Sequence, residues 1–236
     1  MSVADNITRV RERIDAAARE TGRTGADITL VGASKMNDAA ACREAVAAGI
    51  DALGENRVQE MREKLSQHAY DGAPLHFIGH LQRNKVRQVV GQVSLIQSVG
   101  SLPLLLEIEK VAGAEQGENF QVQPILLEVN IAGEESKSGF SPEELLQAAE
   151  TALSLPHIRV DGLMTIPPAD ASPEENRRYF EKVFQLYVDM GRNLFHNKLK
   201  VLSMGMSGDY EDAIRAGATM VRVGTAIFGA RHYEKL

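Results

Sequence analysis

Cysteine is almost missing from this chain. A single residue, Cys42, stands among 236, so no intramolecular disulfide can form and a reducing cytosol is the expected compartment. Cys42 falls in an alanine-rich helical run with no assured electropositive neighbour, which favours a buried, inert thiol over a nucleophile. A basic excess is lacking too. The formal net charge is -6, which gives no electrostatic reason to expect nucleic acid or an anionic membrane surface as a partner. No hydrophobic run approaches the length that spans a bilayer. The first residues carry Asp5, Arg9, Arg11, Glu12 and Arg13 in place of a continuous apolar segment, so a secretory leader is not expected and a cytoplasmic protein is. No linker, low-complexity segment or break in composition divides the chain, and one domain over residues 1–236 is the expectation.

What the sequence does have is a steady alternation. Val3, Ile7, Val10, Ile14 and Ala17 recur at spacings of four and three, predicting an amphipathic helix to about Thr21. Because it precedes the first strand, it is an addition that either covers a barrel end or meets a partner chain. Short apolar runs follow at 28–34, 51–55, 75–79, 94–99, 123–130, 160–166, 200–206 and 220–224. Helical patterns lie between them near 38–48, 57–68, 83–91, 102–115, 142–154, 174–195 and 209–216. Ser141-Pro142-Glu143-Glu144 and Ser172-Pro173-Glu174-Glu175 each read as a serine cap, a proline at the first helical position and a glutamate reaching back. Gly49 and Gly217 mark helix stops. Eight strands apolar on both faces, alternating with helices, predict a (β/α)8 barrel. The alternative is an open doubly wound sheet, but the glycine-rich turn expected after its first strand is absent, and Ala33-Ser34-Lys35 stands there instead.

In a barrel the active face is built from the residues that follow each strand. Here these are Lys35, then Gly54-Glu55-Asn56, Gly79-His80, the loop from Asn130 to Lys137, Pro167-Pro168, Met206-Ser207 and Gly224-Thr225. Barrels commonly hold phosphate in the loops after strands seven and eight. Gly224 would let backbone N–H groups approach an anion, Ser207 and Thr225 would add hydroxyl donors, and the following turns would add positive dipole ends. Taken singly, Ser207 could simply cap its helix and Gly224 simply permit a turn. Together with a lysine at the end of the adjoining first strand, they fit one ligand, pyridoxal 5′-phosphate, whose aldehyde and phosphate lie at opposite ends. Lys35 is then the Schiff-base residue, and a cation such as Arg222 would help keep its amine partly neutral. A guanidinium at the pyridine nitrogen can only donate, so Arg222 would favour an unprotonated ring and weaken it as an electron sink. Otherwise Arg222 is a surface cation beside the last strand.

Several stretches together resemble the pyridoxal phosphate homeostasis proteins. They are Ala33-Ser34-Lys35, Gly54-Glu55-Asn56-Arg57-Val58-Gln59-Glu60, His76 to Lys85, Asn130-Ile131 with Ser136 to Phe140, Gly162 to Pro168, Leu202 to Ser207 and Arg222 to Gly229. The departures are small: Leu53 replaces an aromatic residue, and the Val99-Gly100-Ser101 turn lacks an acidic one. The resemblance implies a barrel like the N-terminal domain of alanine racemases, with the cofactor on Lys35 and with Asn56, His80, Met206, Ser207, Arg222, Gly224 and Thr225 around it. It implies a protein that keeps free pyridoxal phosphate low yet available, buffers it or delivers it to apo-enzymes, and influences amino-acid and keto-acid balance as a monomer or weak homodimer. The competing reading is an amino-acid racemase, which needs a second acid/base, a tyrosine supplied by an additional β-domain. Tyr70, Tyr179, Tyr187 and Tyr210 fall on or beside predicted helices and Tyr233 lies in the tail, so none is placed for that work. An aldolase barrel using Lys35 alone is weaker, since aldolase lysines come from later strands. Lys137 has no derivable role, and Arg83, Lys85 and Arg87 read as a solvated face.

Overall fold

The computed structural model describes residues 2–114, 122–134 and 137–229. Ser136, Tyr233 and the last residue of the helix expected at 102–115 lie outside them. Eight parallel strands close into a barrel in chain order: β1 (Thr29–Ala33), β2 (Ala52–Glu55), β3 (Leu75–Phe77), β4 (Leu95–Val99), β5 (Gln123–Val129), β6 (Ile158–Thr165), β7 (Val201–Ser203) and β8 (Met220–Val223). Closure is made by β1 and β8, which pair from Thr29↔Met220 to Gly32↔Val223. The open sheet is thereby excluded.

Helices alternate with the strands: α1 (Val3–Arg19), α2 (Ala39–Ala47), α3 (Val58–Ser66), α4 (Leu102–Ala114), α5 (Pro142–Leu153), α6 (Pro173–Asn193), α7 (Tyr210–Arg215) and α8 (Thr225–Phe228). Both serine-proline starts are capping boxes, with Ser141 bonded to Glu144 and Ser172 to Glu175 in each direction. Such a cap contributes about 1 kcal/mol. Gly49 and Gly217 end their helices at φ +78° and +110°.

Three expectations change. The pattern at 83–91 is a 3-10 helix over Arg83–Gln88; the buried Val86 and Val89 stand three apart, the spacing that a 3-10 turn brings onto one side. The seventh strand stops at Ser203, because Gly205 turns the chain at φ +92° and leaves Met206 and Ser207 in a loop. The N-terminal helix covers no barrel end. The last strand is followed by the four-residue α8, and α1 packs on α7, α8 and α2, filling the outer ring where an eighth full helix would lie. Asn6 Nδ2 donates to the Ile227 carbonyl at 2.8 Å, and the Val3 N–H donates to Glu44 at 2.9 Å.

The barrel interior is layered. Val31, Ala52, Leu95, Leu126, Met164 and Met220 form a closed apolar plug. Two residues further along the same inward-facing rows stand Ala33, Gly54, Gln97, Glu128, Ile166 and Arg222, since strand side chains alternate with period two. Small residues thus occupy the β1–β2 side of the mouth, and Gln97, Glu128 and Arg222 make most of the rest polar, with Ile166 the apolar member. The larger core lies outside, between sheet and helices.

Candidate functional site

Lys35 follows β1 by two residues, on the inward-facing parity, and is half-buried. The β1–β8 pairing brings the expected anion site beside it. A Cβ built on Gly224 would lie 3.4 Å from the Ala33 carbonyl oxygen, so the last turn rests against the strand that carries the lysine. Ser207 Oγ accepts the Gly224 N–H at 3.1 Å and the Ala226 N–H at 3.3 Å. Two backbone donors therefore converge on one hydroxyl oxygen. Thr225 sits exposed between them. The donors, and not helix dipoles, make this site: α8 has four residues, too short for an appreciable macrodipole.

Arg222 is no surface cation. It is 3% exposed; Nη1 donates to Ser203 Oγ at 2.5 Å and Nη2 to the Thr165 carbonyl at 2.8 Å. Burial draws the guanidinium down to about 10, against the pull of Glu128 and Asp209, and it stays charged at neutral pH. The Ser203 hydroxyl in turn donates to Gln97 Oε1 at 2.7 Å, and Gln97 Nε2 donates to His76 Nδ1 at 3.0 Å. A rigid polar row thus crosses the barrel beneath its mouth and fixes Arg222.

His76 closes that row as a neutral acceptor, because burial lowers it to about 4. The unfolded chain takes up a proton near 6.5 that the folded one refuses until about 4, so this group destabilises the fold progressively as pH falls between those values. Equilibrium unfolding of wild type and His76→Asn should differ in acid slope by about 1 kcal/mol per pH unit across that window. Identical slopes would refute the assignment of a neutral, buried His76.

The remaining expected residues spread around the mouth. Asn56 follows β2, with a buried Oδ1 that has no partner. Met206 is 38% exposed and its N–H is committed to Asp209 Oδ1 at 2.6 Å. His80 is exposed and lines a separate cavity of about 480 Å³ with Arg83, Ser98, Gly100 and Lys137, away from the serine and glycine turns. Lys137 pairs with Glu134 at 2.6 Å. Lys85 and Arg87 are exposed, as a solvated face requires. Cys42 is fully buried, and burial pushes its thiol up.

Comparison with known proteins agrees with this geometry. The alanine racemase N-terminal domain family matches residues 4–232. A pyridoxal phosphate homeostasis protein of Aquifex aeolicus is 43% identical over 99% of this chain and 100% of its own length. One from Pseudomonas aeruginosa is 40% identical over 98% and 97%. The chain belongs to the pyridoxal phosphate homeostasis protein family. PipY of Synechococcus elongatus, solved with pyridoxal phosphate bound, is 30% identical, and the match covers 97% of this chain and 100% of that one, at a TM-score of 0.84. An alanine racemase of Clostridium difficile, in complex with cycloserine, shares the fold at a TM-score of 0.70 and 19% identity, over 89% of this chain and 56% of that one.

Within this pyridoxal phosphate homeostasis barrel, four residues to which the sequence assigns no role at Lys35 meet behind it: Glu55 and Glu60, which stand there only within the strand-end motif, Tyr70, weighed only as a base, and Lys64, which nothing in the sequence singles out. Lys64 Nζ contacts Glu55 and Glu60, each at 2.7 Å, and the Tyr70 hydroxyl donates to Glu55 at 3.0 Å. Tyr187 donates to the Leu199 carbonyl, and Tyr210 is buried under Arg13. Among the described residues no helix is long and apolar enough to cross a membrane, and no cluster suits a metal ion.

Proposed function

We propose that this chain holds pyridoxal 5′-phosphate at the barrel mouth, with Lys35 as the residue joined to it, and keeps it in reserve for apo-enzymes. The observation that carries the reading is the convergence of the Gly224 and Ala226 N–H groups on Ser207 Oγ, packed against the strand that ends in Lys35. An anion can take the place of that hydroxyl as their acceptor. The unpartnered Asn56 Oδ1 and the small residues Ala33 and Gly54 suit a ligand seated between β1 and β2. When bound, the cofactor would supply an aldehyde, and Lys35 would be the amine that holds it. Arg222, held by Ser203 and Thr165 and charged at neutral pH, would be the donor for the ring nitrogen and, being able only to donate, would favour its unprotonated form. Weak electron withdrawal by the ring suits storage more than turnover. Thr225 would add a hydroxyl donor for the phosphate, with Met206 at the same end of the mouth and His80 on its Lys137 side.

Purified protein incubated with pyridoxal phosphate should turn yellow, and borohydride should fix the label to Lys35 in peptide mapping. The loaded protein should then pass its cofactor to an apo-enzyme and show no Lys35-dependent racemisation of alanine. A colourless protein would end the cofactor assignment, and rapid Lys35-dependent racemisation would replace the carrier with a racemase.

A further inference from the structure

Glu55, Glu60 and Lys64 do nothing in the reading above, yet they meet immediately behind Lys35. Lys64 lies on α3 with its side chain 6% exposed, and Glu55 ends β2 at 0%. Its ammonium donates to the Ser34 carbonyl at 2.8 Å, to Glu55 Oε1 at 2.7 Å and to Glu60 Oε1 at 2.7 Å. All three ammonium protons are thereby used. Glu60 Oε1 also accepts the Met36 N–H at 2.5 Å. One ion cluster therefore grips the chain on both sides of Lys35, at the carbonyl before it and the amide after it. Ser34 Oγ and the Tyr70 hydroxyl add two more bonds to Glu55 Oε1, at 2.7 and 3.0 Å.

Stability alone is a poor reason for this arrangement, because burying charges is costly and apolar side chains would fill the same space. The cluster also holds a strained backbone. Met36 sits at φ +62°, the left-handed region that a residue with a Cβ avoids and keeps only when its surroundings impose it. Here Glu60 imposes it. With residues 34 and 36 fixed, the direction in which the Lys35 side chain leaves the backbone is fixed too.

We infer that Glu55, Lys64 and Glu60 are positioning residues for the Lys35 amine, orienting it for bond formation with the cofactor aldehyde and contributing nothing to phosphate binding. The inference rests on the reading of Lys35 given above. Its test compares two ligands on the full chain. Pyridoxal phosphate can condense with Lys35, whereas pyridoxamine 5′-phosphate has the same ring and phosphate but no aldehyde. In Lys64→Met and Glu60→Ala, the dissociation constant for pyridoxal phosphate should rise about tenfold, since small misplacements of a reacting group are costly. The rate of forming the borohydride-trappable bond should fall by a similar factor, about tenfold. Affinity for pyridoxamine phosphate should stay within about twofold. Should Lys64→Met fail to fold, Glu60→Ala decides the matter, because the Glu60 side chain is 20% exposed and its loss leaves the Glu55–Lys64 pair in place. Equal losses for both ligands, or no change for either, overturn the inference. A wild-type protein that borohydride does not label at Lys35 overturns the Lys35 reading itself and the inference with it.

Discussion

Lys35→Ala is expected to bind pyridoxal phosphate only loosely and to lose it on gel filtration, while wild-type protein keeps it. The substitution removes the amine that condenses with the aldehyde. The Gly224 and Ala226 N–H bonds to Ser207 and the Arg222 bonds to Ser203 and Thr165 are made between other residues and remain after the substitution. Binding should therefore persist through the phosphate and ring and weaken about a hundredfold, which corresponds to about 2.7 kcal/mol. Thermal stability without ligand should change little, because a half-buried lysine at a strand end contributes little to the core. Equilibrium dialysis and difference absorbance against free cofactor measure both effects. Undiminished affinity, or an unchanged borohydride label appearing on another lysine such as Lys137, would remove Lys35 from the central role given to it.

The barrel was legible because parallel strands covered by helices leave an unmistakable record: apolar runs at regular intervals, serine-proline starts and glycine stops. Lys35, Ser207 and Gly224 were legible for a related reason, as residues after strands whose closure makes neighbours of the first and last. Other features leave no such record. Lys64 has the spacing of an exposed helical charge, and only the packing of α3 against β2 shows it to be enclosed by carboxylates. Arg222 likewise alternates in phase with Met220, and its row of partners, Ser203, Gln97 and His76, comes from three other strands. The role of α1 depends on how short α8 is, which local periodicity around Thr225 does not reveal. His80 was read with the cofactor residues because it follows a strand and matches a family position; its place beside Lys137 in the cavity there is something that only the folded chain shows.

Gly79 shows what the sequence could not say about a motif it made conspicuous. In the sequence Gly79-His80 is simply the pair that follows the third strand, with His80 the candidate and no separate role for the glycine. In the fold, Gly79 is not at a positive φ; what the position requires is the absence of a side chain, because the chain after β2 passes against it. A Cβ at this position would lie 2.2 Å from the Asn56 carbonyl oxygen and 2.4 Å from the Asn56 Cα. Backbone atoms cannot rotate aside as a side chain would. Nor can Gly79 retreat, because its own carbonyl accepts from Ser98 Oγ at 2.5 Å and the adjacent Ile78 N–H is tied to the Glu55 carbonyl at 2.8 Å. Gly79→Ala must therefore separate the ends of β2 and β3, at a cost of about 3 kcal/mol or more. For a chain of this size that lowers the melting temperature by about 10 °C. Asn56 would be displaced in the same movement, so the surviving folded protein should also hold pyridoxal phosphate less tightly. Gly208→Ala is the control, since a Cβ there meets nothing within 4 Å and should shift stability by no more than about 0.5 kcal/mol. If both alanine variants melt with the wild type, the close approach of Asn56 and Gly79 does not exist in solution, and the β2–β3 side of the mouth is looser than a seat for the cofactor requires.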